Sequence, residues 1–268
     1  MKKLLAIVAF LVLGAQLPVW SYDQSPSNWQ VLPEATWALA SGSGTWVTEV
    51  QITSFSTTAA DINVYFYYNG GSTGSFLLYT GLEQSHSIRY SNILETLDSL
   101  DSGDTVYYGK AGAIWFWTTS TSSAIQVQAK TINGNYGKTF PGLGVVEGNT
   151  AAQGRAMVIE DLVQDATYRT SIGVYNSSAD ATYTVYFTVI NSINAPIGST
   201  FGLTLEPHAF RTFNPFNLAG VPSGTYSNCW LFIYVITGGS DVRGVFSYGS
   251  LANNYTNDTY ALIARMFN

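Results

Sequence analysis

The sequence predicts an all-β protein made of two tandem antiparallel sandwiches, and three observations predict it. Short runs rich in β-branched and aromatic residues alternate with clusters of Gly, Ser, Asn and Asp. Landmarks also recur at a nearly fixed spacing. Thr45-Trp46-Val47-Thr48 returns as Thr167-Tyr168-Arg169-Thr170 after 122 residues, Val64-Tyr65-Phe66 as Val185-Tyr186-Phe187 after 121, and Leu82-Glu83 as Leu205-Glu206 after 123. A spacing that drifts by a residue or two marks a duplicated domain, not a solenoid turn. Finally, 10% of the 268 residues are charged, 46% hydrophobic and 15% aromatic, which excludes a disordered chain, a coiled coil or a long helical array.

The amino terminus reads as a secretory signal peptide over residues 1–21. Met1-Lys2-Lys3 is a positive start, Leu4 to Leu13 an apolar run, and Val19-x-Ser21 a small-residue cleavage site. The run is too short to span a bilayer permanently, and no later stretch reaches the roughly 18 apolar residues of a span. Secretion to the cell surface or periplasm is expected, without stable membrane insertion.

In the first copy, expected over residues 22–145, strands are predicted at Val47–Phe55, Ile62–Tyr68, Ser75–Tyr79, Ser85–Tyr90, Thr105–Tyr108, Ala113–Thr118 and Ala124–Ile132. The second copy, over 146–268, gives Arg169–Asn176, Ala181–Ile190, Ser199–Leu205, His208–Phe213, Trp230–Thr237, Asp241–Tyr248 and Tyr260–Arg265. Each is short, and Thr, Ser and Asn can cover one face while the other packs inward. Seven short strands in about 100 residues match an immunoglobulin-like sandwich. One helical turn interrupts each copy: Asn92-Ile93-Leu94-Glu95 has the pattern of a capping box, and Asn214-Pro215 offers a cap followed by proline at the first helical position. The joint between copies is expected near Lys138 to Arg155.

Arg155-Ala156-Met157-Val158-Ile159-Glu160-Asp161, Tyr168-Arg169-Thr170 with the later Asn176-Ser177, the pair Ser247-Tyr248 and the run Asn253 to Asp258 resemble the tandem immunoglobulin-like repeats of exported bacterial proteins. The first copy departs from that pattern, with Val47 in place of the Arg and Ser54-Phe55 in place of the Asn-Ser turn. The resemblance implies fold and export and carries no common enzymatic activity.

Residues able to carry chemistry are few. His86 and His208 each follow a Leu-Glu pair but belong to different copies, so they read as surface turn residues and not as a joint metal site. Gly70-Gly71-Ser72-Thr73-Gly74 has the spacing of a nucleophile elbow, yet it lies between two strand runs and reads as a hairpin loop. Asp98, Asp101 and Asp104 recur every third residue, which is not the alternate spacing of a calcium loop; a solvated acidic loop is expected, with an irregular calcium site as its alternative. Asp161 and Asp165 form a weaker candidate of the same kind. Glu83 and Glu206 are repeat-matched, one in each copy, unlike two acids facing across a cleft. No phosphate loop, dinucleotide fingerprint or zinc-protease motif occurs. No catalytic residue, metal or cofactor is therefore assigned, and the protein is not expected to be an enzyme.

Beyond residue 21, nine Lys and Arg face 17 Asp and Glu, and the cations are scattered singly. Nucleic acids and anionic membranes need clustered cations, so neither is an expected partner. Cys229 sits in Asn228-Cys229-Trp230-Leu231-Phe232-Ile233-Tyr234 and reads as a buried apolar residue. The aromatics carry most interest. Tyr65 to Tyr68 are consecutive, so strand alternation turns two of them outward, and Trp115 and Trp117 share one face of their strand. Tyr65, Tyr67, Trp115 and Trp117 are the candidate interface aromatics, weighed against burial under a neighbouring layer. The expected function is structural or adhesive, through protein contacts or self-association, with a carbohydrate-binding module as the alternative.

Overall fold

A computed structural model describes residues 19–20, 25–40, 44–68, 71–102, 106–119, 122–134, 136–144, 151–237, 244–256 and 259–267. Most of the expected signal peptide and the expected boundary at 145/146 lie outside these. The described chain is all-β apart from two short helices. Its elements are β1 (Val19–Trp20), β2 (Trp29–Leu39), β3 (Thr45–Ser54), β4 (Ala60–Tyr68), β5 (Gly71–Ser72), β6 (Phe76–Leu82), β7 (Ser87–Tyr90), α1 (Ile93–Leu100), β8 (Lys110–Thr118), β9 (Ile125–Asn133), β10 (Tyr136–Pro141) and β11 (Leu143–Gly144). There follow β12 (Ala156–Gln164), β13 (Tyr168–Asn176), β14 (Tyr183–Ile190), β15 (Pro196–Leu205), β16 (Phe210–Phe213), α2 (Pro215–Leu218), β17 (Tyr226–Thr237), β18 (Val245–Asn253), β19 (Thr259–Ile263) and β20 (Arg265–Phe267).

All strand pairings are antiparallel. In the amino-terminal half one layer has the order β11-β2-β8-β4-β6 (sheet I) and the other β7-β3-β9-β10 (sheet II), joined where the ends of β2 and β3 pair. In the carboxy-terminal half the layers are β16-β13-β18-β19 (sheet III) and β1-β20-β12-β17-β14-β15 (sheet IV). The orders correspond strand for strand: β2-β8-β4-β6 to β12-β17-β14-β15, and β7-β3-β9-β10 to β16-β13-β18-β19. The first strand of each half also carries a bulge, at Leu32/Ala35 and at Ile159/Leu162.

Alternation fills the cores. In sheet I Val64, Phe66, Ile114 and Phe116 point inward and are fully buried, as are Val185, Phe187, Ile233 and Val235 in sheet IV. Each such side chain contributes roughly 1.5–3 kcal/mol of hydrophobic stabilisation. The helices bridge the layers at matching places, β7 to β8 and β16 to β17. Asn92 caps α1 by accepting the Glu95 N–H, and Ile93, Leu94 and Leu97 are buried; α1 runs eight residues, longer than the single turn expected. Asn214 caps the four-residue α2 by accepting the Asn217 N–H at 3.1 Å, with Pro215 next.

Three expectations are corrected. Residues 106–109 are loop and turn, not strand, and Thr105 lies outside the described residues. Tyr107 is fully buried there: its N–H donates to Asp98 Oδ1 at 2.9 Å and its hydroxyl to Asp101, so ties to α1 override β propensity. Lys138, expected in the joint, lies within β10 and pairs with β9. The strand expected at Asp241 begins at Val245, and residues 241–243 lie outside the described ones.

Candidate functional site

β4, β8 and β2 build the outer face of sheet I. Tyr65 lies opposite Trp115, Asn63 opposite Trp117, and Trp117 opposite Trp29, so the pleat turns these side chains away from the core. Trp117 stacks on Tyr65 with centroids 4.6 Å apart and planes 17° apart, and on Trp29 at 5.7 Å and 13°. Strands are about 4.8 Å apart, so near-parallel rings this close must stand upright with their faces against one another. Their edges meet solvent. Trp29 is 38% exposed, Tyr65 and Trp117 are half-buried, and Leu77, opposite Asn63, is 52% exposed.

The same aromatic row continues into the contact between the halves. Tyr67 and Trp115 are buried. The Tyr67 ring lies on His208 at 4.0 Å and 13°, Trp115 meets His208 edge-on at 6.5 Å, and Tyr67 lies 6.1 Å from Tyr175. The Tyr175 hydroxyl and His208 Nδ1 are 3.1 Å apart. Burial, with Tyr65 adding, pushes the Tyr67 hydroxyl pKa up to about 12. Of the four aromatics predicted, two are packed inside the chain and two remain accessible. Trp29 was missed because its strand was missed.

A second contact joins the halves beside the row. Lys138 Nζ lies 2.7 Å from Glu34 Oε2 and 3.2 Å from Ser250 Oγ. It also sits 5.2 Å above the Phe140 ring and 5.9 Å from Tyr248, whose ring meets Phe140 edge-on. Gly173 makes room for Tyr248: a Cβ there would fall 2.1 Å from that ring.

The histidines differ. His86 is exposed, 3.7 Å from the equally exposed Glu83 carboxylate. His208 is docked, although both turns use a left-handed residue at matched positions, Ser85 (φ 62°) and His208 (φ 56°). The acidic candidates are engaged in structure. Asp98 and Asp101 hold Tyr107, Asp104 lies outside the described residues, and Asp165 Oδ1 accepts the N–H groups of Thr167 and Tyr168 at 2.7 and 2.6 Å. Asp161 occupies the β12 bulge at φ 61°. Glu206 accepts the Thr182 hydroxyl at 2.7 Å. Ser72 lies in the connection from β4 to β6, with no helix behind it. Cys229 is buried, which raises its thiol pKa. Among the described residues no group of three or more His, Cys, Asp or Glu could hold a metal ion. A hollow of about 270 Å³ between α2 and the end of β12 has Asp165 as its only ionisable lining residue.

The residues that carried the family resemblance act as staples. Asn176 is fully buried and donates to the carbonyls of Ala181, Leu205 and Glu206 at 2.7–3.0 Å. The Thr170 hydroxyl donates to Val163 O at 2.8 Å, that of Ser247 to Gly173 O at 2.9 Å, and Arg169 donates to Asn254 Oδ1 at 2.7 Å.

No family model matches the chain, and no curated protein matches it. Among solved structures it is similar to Bacteroides uniformis β-glucuronidase 2, at 11% identity over 90% of this chain and 26% of that one, with a TM-score of 0.15. The Pleurotus ostreatus lectin in its apo form gives 11% identity, 94% and 85% coverage and a TM-score of 0.23. Infectious bursal disease virus, Gx strain, gives 8%, 95%, 77% and 0.23. The chain thus spans about a quarter of the glucuronidase's length.

Proposed function

We propose that this is a secreted, non-enzymatic structural or adhesive protein, built of two tandem immunoglobulin-like sandwiches and acting through protein contacts at the cell surface or in an extracellular assembly. The matching strand orders, bulges and helix positions of the two halves support the tandem reading. The order departs from the immunoglobulin arrangement in two respects: the first strand of each half lies beside the sixth long strand, where that arrangement places its last, and the seventh lies beside the second, where that arrangement places its first.

The observation that carries the function is the aromatic row of sheet I. Its inner part, Tyr67 and Trp115, is already a protein interface, and its outer part, Trp29, Trp117 and Tyr65 with Leu77, continues that surface uncovered. Aromatic enrichment of this kind suits protein interfaces. Sugar stacking needs an open ring face, and Trp117, the middle ring of the stack, has both faces covered by Tyr65 and Trp29. Immobilised protein is expected to retain cells or cell-envelope material, with retention lost in Trp29→Ala/Trp117→Ala, while soluble polysaccharides leave the tryptophan fluorescence unchanged. A polysaccharide-induced change abolished by Trp117→Ala would establish the carbohydrate alternative and overturn the proposal.

A further inference from the structure

The outward face of sheet IV is apolar and yet closed to solvent. One row across it reads Gly202, Tyr186, Tyr234, Ala156 and Phe267, and the next Thr188, Phe232, Val158 and Arg265, with Ile190 and Trp230 beyond. Alternation turns these side chains away from the core, which Met157, Ile159, Val189, Leu231 and Ile233 fill. Ala156, Val158, Ile190 and Phe232 form a hydrophobic cluster separate from that core. Even so, Val158 is 4% exposed, Ile190 2% and Phe232 6%.

Neighbours within one sheet do not bury a ring this far. Phe232 has Tyr234 near-parallel at 6.3 Å and Phe267 edge-on at 5.8 Å. On the outer face of sheet I, Trp117 is stacked on both sides and is still only half-buried, and Trp29 beside it stays 38% exposed. Among the described residues, the apolar side chains packed on the sheet IV cluster are Trp230, Tyr234 and Phe267, all from sheet IV itself. The cover over Phe232 therefore comes from elsewhere in the chain, and the sheet margin shows where it enters. β1 pairs Val19 with Phe267 and Trp20 with Met266, so the 18 residues ahead of Val19 are delivered to the edge of this face. We propose that the outer face of sheet IV is the docking site of the chain's own apolar run Leu4–Leu13: the uncut chain shields this face, and cleavage after Ser21 removes both the run and β1 and bares it. The docking stands on the geometry; its release by cleavage rests on the secretion reading above.

Reach and chemistry agree with this occupant. From β20 to β14 the face is roughly 14 Å wide, at about 4.8 Å per strand. The ten residues of the run cover about 15 Å as a helix or about 33 Å extended, enough in either form. Residues 14–18 lie between the run and β1, and at no more than about 3.6 Å each they let the chain turn back over the sheet. The run carries no ionisable, amide or hydroxyl side chain, so laying it on Phe232 and Tyr234 strands no polar side chain. A second copy is not needed to close a face that a single chain already buries. The aromatic row of sheet I is the other apolar surface the run could seek, but β1 lies at the margin of sheet IV and Trp29 remains open.

Photo-cross-linking of the full chain tests this, with benzoylphenylalanine in place of Tyr234, a half-buried position on the face. Mass spectrometry is expected to find adducts on residues 4–13 of the same chain, at a yield that dilution leaves unchanged. Adducts confined to other copies, or none on residues 4–13, would overturn the proposal. A hydrophobic dye gives the second readout. The full chain carrying Ile7→Asp and Leu11→Asp, and the chain beginning at Tyr22, should each bind several-fold more dye than the uncut chain, and Tyr234→Arg should remove the gain. The sheet I patch contributes equally to all of them, and unchanged far-ultraviolet circular dichroism checks that they fold. Dye binding equal to that of the uncut chain would also overturn the proposal. Were the cross-link absent while Trp117-dependent cell retention persisted, the functional reading would stand and only the docking would fall.

Discussion

Replacing Lys138 by Met tests what holds the two halves in register. Lys138 and Glu34 are nearly enclosed, with side chains 9% and 12% exposed, and their charges stand 2.7 Å apart. At an effective dielectric constant of about 20 that attraction is about 6 kcal/mol, most of it offset by the desolvation of both ions. Met keeps the apolar stem over Phe140 and Tyr248 but strands the Glu34 carboxylate, which costs about 3–5 kcal/mol when a buried pair is broken from one side. The unfolding free energy of Lys138→Met in urea is therefore expected to fall by that amount, seen as a lower midpoint at unchanged slope. Adding Glu34→Gln removes the stranded charge and should recover most of the loss. A single variant costing under about 1 kcal/mol, or a double variant no better than the single, would refute the assignment of a buried, mutually compensated pair.

Tyr107→Phe leaves Asp101 without its hydroxyl partner and should destabilise by about 1–2 kcal/mol in urea; added calcium should leave the melting temperature of the unsubstituted protein unchanged, because Asp98 and Asp101 already hold Tyr107. Gly173→Ala drives a methyl into the Tyr248 ring and should cost about 1–3 kcal/mol, partly relieved by Tyr248→Leu. Alkaline stability should fall between about pH 10 and 12. The Tyr67 hydroxyl ionises near its ordinary value when unfolded and only at about 12 when folded, so the unfolded chain loses its proton first and gains as pH rises. Burial raises Tyr90, Tyr107, Tyr175 and Tyr248 too, so Tyr67→Phe should reduce that slope only by the share of one tyrosine in pH-dependent urea titrations, and an unchanged slope would remove Tyr67 as a contributor.

Legibility of the fold varied with the range of the forces involved. β3, β4, β9, β13 and β14 were readable because propensity and inward alternation agree along each of them. β2 escaped because Pro33 breaks the pattern; the structure places it inside the bulge between Leu32 and Ala35, where the ladder is interrupted and a missing N–H costs nothing. Residues 106–109 misled for the opposite reason, since Val106, Tyr107 and Tyr108 favour strands while Tyr107 is captured by Asp98 on the preceding helix and Asp101 at its C-cap. For the aromatic face, alternation correctly turned Tyr65 and Tyr67 to the side shared by Trp115 and Trp117. It could not say that His208, more than 90 residues later, would cover one end of that row, because periodicity reports which way a side chain points and not what arrives to meet it.

The pairing of Val19 with Phe267 at one sheet margin has a mechanical consequence. While residues 1–21 remain attached, tension applied through the segments leading into Val19 and out of Phe267 would load those two strands as a zipper, opening one residue pair after another, so the uncleaved chain should yield at low force from that corner. Attachment through residues far from this margin would instead load longer ladders in shear, leaving the layered body stiff while the corner stays soft.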